Sequence, residues 1–325
     1  MKKIAAVLCI SCLCFGILSA RGMHSKRSTH KIPRYDHIVI VMEENKAYDQ
    51  VIGNDAAPYI NELRKEGANF TRMYAEEHAS EGNYFWLFSG SNQNVGFDDV
   101  IPNSVNNKNY PFMSGNLAQG LLAEGYSFKG YSESLPGIGD TVSGSGNYAR
   151  KHVPWISFGN IPNGTTEKTS VNLQFAQFPS DYSTLPTVSF VIPNLIDDMH
   201  NPESAAISVK NGDTWLKENL DGYYQWAKKH NSILIITFDE NDDASGYRGL
   251  TDPASTNRDI KNRIPTIIAG AHIRHGDYAE GKGITHINIL RTIESMYGLP
   301  KSGHQPDNAV KFGITDDYIL KDIFR

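Results

Sequence analysis

Cysteine is nearly absent. The 325-residue chain has three, and Cys9, Cys12 and Cys14 all lie close to its start. The rest of the chain therefore has no disulfide framework and no thiolate metal site. An excess of positive charge is also missing. Lys and Arg number 31 against 36 Asp and Glu, a formal net charge of −5, which leaves no basic footprint for nucleic acid. The longest apolar run, residues 4–18, falls short of the ~20 residues that a membrane-spanning helix needs. Gly (28) and Pro (15) stand at ordinary levels and hydrophobic residues make up 40%. That balance excludes collagen-like, coiled-coil and wholly disordered chains. No internal repeat and no clear interdomain linker is present.

What is there begins with a leader. Lys2 and Lys3 precede the apolar run, and the small residues Ser19 and Ala20 precede Arg21. Residues 1–20 read as a secretory signal peptide, with an uncleaved anchor as the alternative. The expected location is secreted or periplasmic, with no stable membrane insertion of the mature chain. Residues 21–34 carry Lys26, Arg27, Lys31 and Arg34 and read as a basic flexible arm. Residues 35–325 are expected to form a single domain, long enough to bury a full core. Loop insertions are expected near 100–115, rich in Asn, and 132–165, which opens with a Gly- and Ser-rich stretch.

Short β-branched runs at 36–42, 187–192, 232–238 and 265–269 have the signature of buried strands, with 126–131 a weaker one. Helical patterns at 56–66, 214–229 and 286–297 alternate with them, the last ending at Gly298 with Pro300 beyond. The expected fold class is α/β, a mainly parallel central sheet with helices on both faces. In such sheets ligands bind beyond the carboxyl ends of the strands.

Polar groups gather at those ends. Glu43, Glu44 and Asn45 follow the first strand. Asp197, Asp198 and His200 follow 187–192. Asp239, Glu240, Asn241, Asp242 and Asp243 follow 232–238. Any one cluster is equally served by solvated turns and helix caps. Three clusters at three strand exits favour a cation that compensates their charge. Oxygen ligands with a few His suit Mg, Ca, Mn or Zn. Between the first two clusters lies HASEGNYFWLFSGS, residues 78–91. Ser80 is expected near the start of a buried helix, where free N–H groups and the dipole favour an anion. There it is a candidate nucleophile, although Ser is also a common helix cap. Asn83 is placed to donate its amide to a phosphoryl oxygen or to serve as a turn residue.

The order Glu44-Asn45, His78-x-Ser80-x-x-Asn83-Tyr84, Pro193-Asn194…Asp198-x-His200, Phe238-Asp239-Glu240 and Thr285-His286 resembles the bacterial phosphoesterase family. That family contains secreted acid phosphatases and phospholipases C, within the alkaline phosphatase superfamily. The resemblance spans about residues 36–300. It implies an alkaline phosphatase-like fold and one or two divalent metal ions. It implies metal ligands at Glu44, Asn45, Ser80, Asp239, Glu240 and Asp198, and catalytic roles for Ser80, His200 and His286. His78 and Asn83 would bind substrate phosphate. Two positions depart from the family pattern: Ala79 stands where Pro is usual and Asn288 where Ser is common.

The resemblance implies hydrolysis of a small phosphate ester by in-line attack of Ser80 and a phosphoserine intermediate. The polar loop regions favour an acid phosphatase-like phosphomonoesterase. The alternative is a phospholipase C-like phosphodiesterase. A non-catalytic binding protein would not need Ser80, and a sulfatase would need a Cys/Ser-x-Pro-x-Arg context that is absent around Ser80.

Overall fold

Residues 37–43 (HIVIVME) are β-branched and apolar on both faces, and in the computed structural model they form β1 (His37–Glu43), buried from Ile38 onward. A strand buried on both faces belongs at the centre of a covered sheet. The structure describes residues 32–200, 204–242, 249–251, 262–279, 281–316 and 318–325. The expected signal peptide, most of the basic arm and Asp243 lie outside them.

In chain order the other strands are β2 (Ala68–Phe70), β3 (Phe128–Ser132), β4 (Gly144–Ser145), β5 (Tyr148–Ala149), β6 (Asn172–Gln174), β7 (Val188–Ile192), β8 (Ser232–Phe238), β9 (Thr266–Gly270) and β10 (Gly276–Tyr278). The helices are α1 (Tyr48–Val51), α2 (Pro58–Glu66), α3 (Ser80–Ser89), α4 (Leu117–Ala123), α5 (Ala205–Ala227), α6 (His286–Tyr297) and α7 (Asp307–Phe312). The main sheet has the order β10-β2-β9-β8-β1-β7-β3-β6, and β4-β5 form a separate ribbon. β1 pairs in parallel with β7 and with β8, and β3 in parallel with β7 and β6. The expected mainly parallel α/β sheet is therefore present.

One strand runs the other way. β9 is antiparallel to both β8 and β2, with Gly270 opposite Ile233 near the start of β8. The segment after β9, with His272 and His275, accordingly leaves at the edge opposite the ends of β1, β7 and β8.

The core is one large apolar cluster that includes the central strands and the inner faces of α2, α3, α5 and α6. α3 is buried along its whole length, its apolar stretch Tyr84–Phe88 in the core and its polar first turn, Ser80–Asn83, at the end of the sheet. α6 begins with Asn288 Oδ1 accepting from Thr285 N (2.8 Å), which satisfies a free N-terminal donor. It ends on Gly298 at φ +69°, a left-handed cap for which glycine carries no steric cost. Among the described residues no helix is long and apolar enough to cross a membrane.

The expected insertion at 132–165 is a structured wall. Its 3₁₀ turn Pro154–Ser157 lies directly on β3. A Cβ at Gly130 would stand 2.1 Å from the Trp155 ring, so only glycine admits this approach. Trp155 is fully buried and donates its Nε1–H to Asn172 Oδ1 (3.0 Å) on β6. That anchor fixes the preceding turn, Arg150–His152, over the sheet.

Candidate active site

Because β1, β7 and β8 run in parallel side by side, their C-terminal ends meet at one edge. Backbone hydrogen bonds tie these ends together: Asp239 N donates to Glu43 O (3.0 Å), and Glu44 N to Asp198 O. Glu44, Asp198 and Asp239 are fully buried, and Glu240 nearly so. Two backbone positions past the strand ends are left-handed, Asn45 at φ +47° and Met199 at φ +72°, an uncommon conformation outside glycine. The turn at Met199 brings His200 N onto Asp198 Oδ1 (2.9 Å).

Ser80 opens α3 at this edge and is buried. Its Oγ lies 3.2 Å from Glu44 Oε2 and 3.2 Å from Glu240 Oε1, and 3.4 Å from Asn45 Oδ1. Asp239 Oδ1 accepts from the backbone N–H of Asn45 (2.9 Å) and of Glu240 (2.6 Å). His78 Nδ1 sits 2.8 Å from Glu240 Oε2. His200 Nδ1 lies 3.6 Å from Glu44 Oε2. The structure thus gathers Ser80, Glu44, Asn45, Asp239, Glu240, Asp198, His78 and His200 in one place.

Asn83 and His286 are not brought there. Asn83 closes the loop before α3: its Oδ1 accepts from Glu77 N (3.0 Å) and its Nδ2 donates to Glu77 O (2.8 Å), so its amide is spent on backbone. His286 is fully buried, with Nδ1 2.6 Å from Glu76 Oε2 and Nε2 2.7 Å from Phe238 O. A carbonyl oxygen only accepts, so Nε2 carries the proton and has no lone pair for a metal. His286 instead pins the end of β8, one residue before Asp239. Of the two competing acids on the loop after β7, Asp198 enters the cluster. Asp197 is half-buried, and burial followed by neighbouring Glu133 pushes its pKa up to about 6.

Two contributors were not foreseen from the sequence. His152, delivered by the Trp155-anchored turn, is fully buried, with Nε2 3.2 Å from Glu44 Oε1 and Nδ1 3.9 Å from Asp198 Oδ2. Its ring stacks on Tyr84 at 5.0 Å. Tyr84, quoted only as part of a motif, donates its hydroxyl to Glu44 Oε1 (2.6 Å). His152 escaped because it lies in an insertion and not at a strand exit. Its only mark was the short basic run Arg150-Lys151-His152.

Electrostatics favour a cation. Burial, followed by the charge of Glu44, holds the carboxyls of Asp198 and Asp239 well above their usual range. Glu240 is raised by burial despite His78. Burial also works on Glu44, but His152, Lys151 and the Tyr84 hydroxyl outweigh it and hold that carboxyl below its usual range. Burial lowers His152 itself to about 4. It is neutral at pH 7, so its own charge supports Glu44 only in acid, and Lys151 and the Tyr84 hydroxyl remain beside Glu44 at neutral pH. A neutral imidazole is also the form that ligates metals.

Glu44, His152 and Asp198 each offer a ligand atom, all within 4.8 Å of one another. Asp198 Oδ2, His152 Nε2 and His200 Nδ1 are buried without a hydrogen bond, the leftover lone pairs expected around an ion site. Asn45 fits as well. With its amide turned one way, its N–H₂ donates to Glu44 Oε2 (2.9 Å) and Asp239 Oδ2 (3.1 Å). Turned the other way, its oxygen joins theirs as a further ligand. The donor set of carboxylates, one amide and imidazole suits a hard or borderline divalent ion.

The model of the Phosphoesterase family matches residues 54–300. A Mycobacterium tuberculosis protein named phosphatidylinositol-3-phosphatase is 42% identical over 275 residues, 84% of this chain and 80% of that protein. A probable acid phosphatase from Kluyveromyces lactis is 25% identical over 293 residues, 85% of this chain and 61% of that protein. Among solved structures, an alkaline phosphatase superfamily protein from Vibrio parahaemolyticus aligns with a TM-score of 0.54 at 15% identity. It covers 82% of this chain and 68% of its own. The zinc complex of the C-terminal periplasmic domain of EcEptC from Escherichia coli aligns with a TM-score of 0.52 at 11% identity, covering 82% and 84%. These two likenesses concern the fold.

Proposed function

The chain belongs to the phosphoesterase family and is a phosphoric ester hydrolase, and from that premise we propose that it is an exported, metal-dependent phosphomonoesterase working through a phosphoserine at Ser80. The observation that carries this reading is the position of Ser80 Oγ at the start of a buried helix, facing Glu44, Asn45 and Glu240 at 3.2–3.4 Å. Export rests on the leader at residues 1–20, and residues 35–325 are read as one catalytic unit. The relative named phosphatidylinositol-3-phosphatase favours a monoester over a diester and places phosphoinositide headgroups among the substrates to be tried.

Glu44, Asp198 and His152, with Asn45, Asp239 and Glu240 beside them, are the residues that would hold the ion. A bound divalent ion supplies Lewis-acid stabilisation of charge on the phosphoryl group and the seryl oxygen. The chain's own groups do the rest. Ser80 Oγ attacks phosphorus, and its proton passes to one of the two carboxylates facing it, Glu44 or Glu240. The P–O bond to the alcohol breaks and the alcohol leaves with a proton. The N–H groups at the start of α3 other than that of Glu81, which is taken by Asp99, and the helix dipole stabilise the equatorial oxygens. Water then attacks the phosphoserine, releasing phosphate and restoring the hydroxyl. His78 holds Glu240 by its second oxygen, and His200, about one-third exposed, gives a proton to the departing group from its Nε2–H, the nitrogen not turned towards Glu44.

The test is aryl-phosphate hydrolysis by purified protein before and after chelation, with divalent ions added back. Ser80→Ala should abolish turnover and keep metal content, whereas Asp239→Ala should lose metal after dialysis. Substantial turnover in Ser80→Ala would refute the assignment.

A further inference from the structure

A cavity of about 400 Å³ opens beside the cluster, lined by Asp99, Ile101, Ser143, Tyr148, Lys151 and Leu195 together with the glycine backbone of β4. Its size falls in the range of roughly 300–1,000 Å³ typical of small-molecule sites. Three of its walls stand on segments that also carry site residues. Asp99 Oδ1 accepts from the backbone N–H of Glu81 (2.9 Å), the residue after Ser80. Lys151 precedes His152 and reaches back with Nζ to Asp99 Oδ2 (2.8 Å). Leu195 lies on the loop that delivers Asp198, tied to the ribbon by its N–H to Asn147 O (3.0 Å).

We infer that this cavity receives the leaving group and that its chemistry selects a polyhydroxylated alcohol, a cyclitol or sugar, over a plain alkyl or aryl one. The inference rests on the phosphomonoesterase reading above. A carboxylate and an ammonium side by side, Asp99 and Lys151, accept from and donate to neighbouring hydroxyls. Both are partly exposed, so they can meet a ligand. The ribbon and its flanks add the exposed Ser143 and the backbone of Gly144 and Gly146 to the lining. Tyr148 lines the same cavity and is buried to within 3%, a rigid wall on that side. Ile101, Leu195 and the Tyr148 ring give apolar walls for the C–H faces of a ring. An acyl or aryl group would strip water from the paired Asp99 and Lys151 without replacing its hydrogen bonds, at a cost that disfavours it.

The experiment compares kcat/KM for inositol 1-phosphate with kcat/KM for methyl phosphate, whose leaving group is too small to fill the cavity. The full chain is used throughout with the same divalent salt. Lys151→Met also removes a charge that holds Glu44 ionised, so both rates should fall, and the ratio should fall about tenfold as well, the typical loss of one hydrogen bond to a charged group. Ser143→Trp, which blocks the cavity from its exposed lip without touching Lys151, should lower the ratio at least as far and covers the case in which Lys151→Met does not fold. The same comparison with phosphatidylinositol 3-phosphate in phosphatidylcholine vesicles separates two sources of the headgroup. Parallel losses mean the cavity takes it from lipid and solution alike, and loss with the soluble ester alone confines it to free polyols. A ratio unmoved in both variants, while methyl phosphate is still hydrolysed, overturns the inference and leaves the phosphomonoesterase reading standing. Failure of the wild-type chain to hydrolyse either ester removes both.

Discussion

His152→Gln tests the part of the site that only the fold assembles. His152 offers one of three atoms, within 4.8 Å of one another, that could ligate a metal, and glutamine keeps most of its bulk while removing both ring nitrogens. Removing a partner that merely supports a metal ligand lowers affinity roughly 10- to 100-fold, about 1.4–2.7 kcal/mol. Loss of a ligand atom sets that range as its lower bound. The stack on Tyr84 at 5.0 Å is lost too, worth about 0.5–1.5 kcal/mol of folding stability. The two effects separate if metal-free wild type and variant are unfolded in urea first, where only the stacking loss shows. Metal content after dialysis against graded divalent ion then reports the ligand loss. Activity should follow the same titration, with its midpoint shifted to higher metal concentration by the same factor. A variant that binds the ion with an unchanged midpoint would show that His152 is packing and not a ligand, and the metal set would have to be redrawn around Asn45, Asp239 and Glu240.

Tyr84→Phe removes the 2.6 Å donor to Glu44, which helps keep that buried carboxyl ionised. The acidic limb of kcat/KM should move up by about one pH unit, and an unmoved limb would free Tyr84 of this role. Glu77→Gln addresses stability. Burial raises this carboxyl from 4.5 to about 7, against its bonds with Trp86, Thr251 and Asn92. The folded chain therefore keeps a proton that the unfolded chain releases between those values. The resulting stabilisation is complete below about pH 4.5 and is lost as pH rises through about 7, at most about 3 kcal/mol. Urea unfolding at about pH 5 and pH 8 should show a smaller decline for the glutamine variant than for wild type, and equal declines would refute the shift. Gly130→Ala drives a methyl into the Trp155 ring and should cost about 1–3 kcal/mol. It should also weaken metal binding by displacing the turn that carries His152, which thermal melts and metal content read separately.

The strands were legible because β-branched apolar runs have no other home in a globular chain. The run at 232–238 coincides with β8 to the residue, and β1 and β7 agree within one residue at either end. The helix at 214–229 was seen only in its aromatic second half, whereas α5 begins at Ala205. Its first turns carry few apolar residues and leave no periodic signal. The short strands β2, β6 and β10, three residues each, are held by their neighbours in the sheet, so local sequence could not announce them.

The sequence by itself determined that Glu44, Asp198 and Asp239 would share one edge. Parallel strands deliver the residues after their C-terminal ends to the same side, and those residues can be read off the chain in order. It also put Ser80 at the mouth of a buried helix. Tertiary structure alone decided which polar side chains point into that edge. It turned Asn83 onto the backbone and drew His286 to Glu76 and the end of β8, and it brought His152 and Tyr84 against Glu44 from segments about 108 and 40 residues away. Such choices depend on contacts between distant segments, here a glycine on β3 that lets one indole approach the sheet. No local pattern of residue types encodes a contact of that kind.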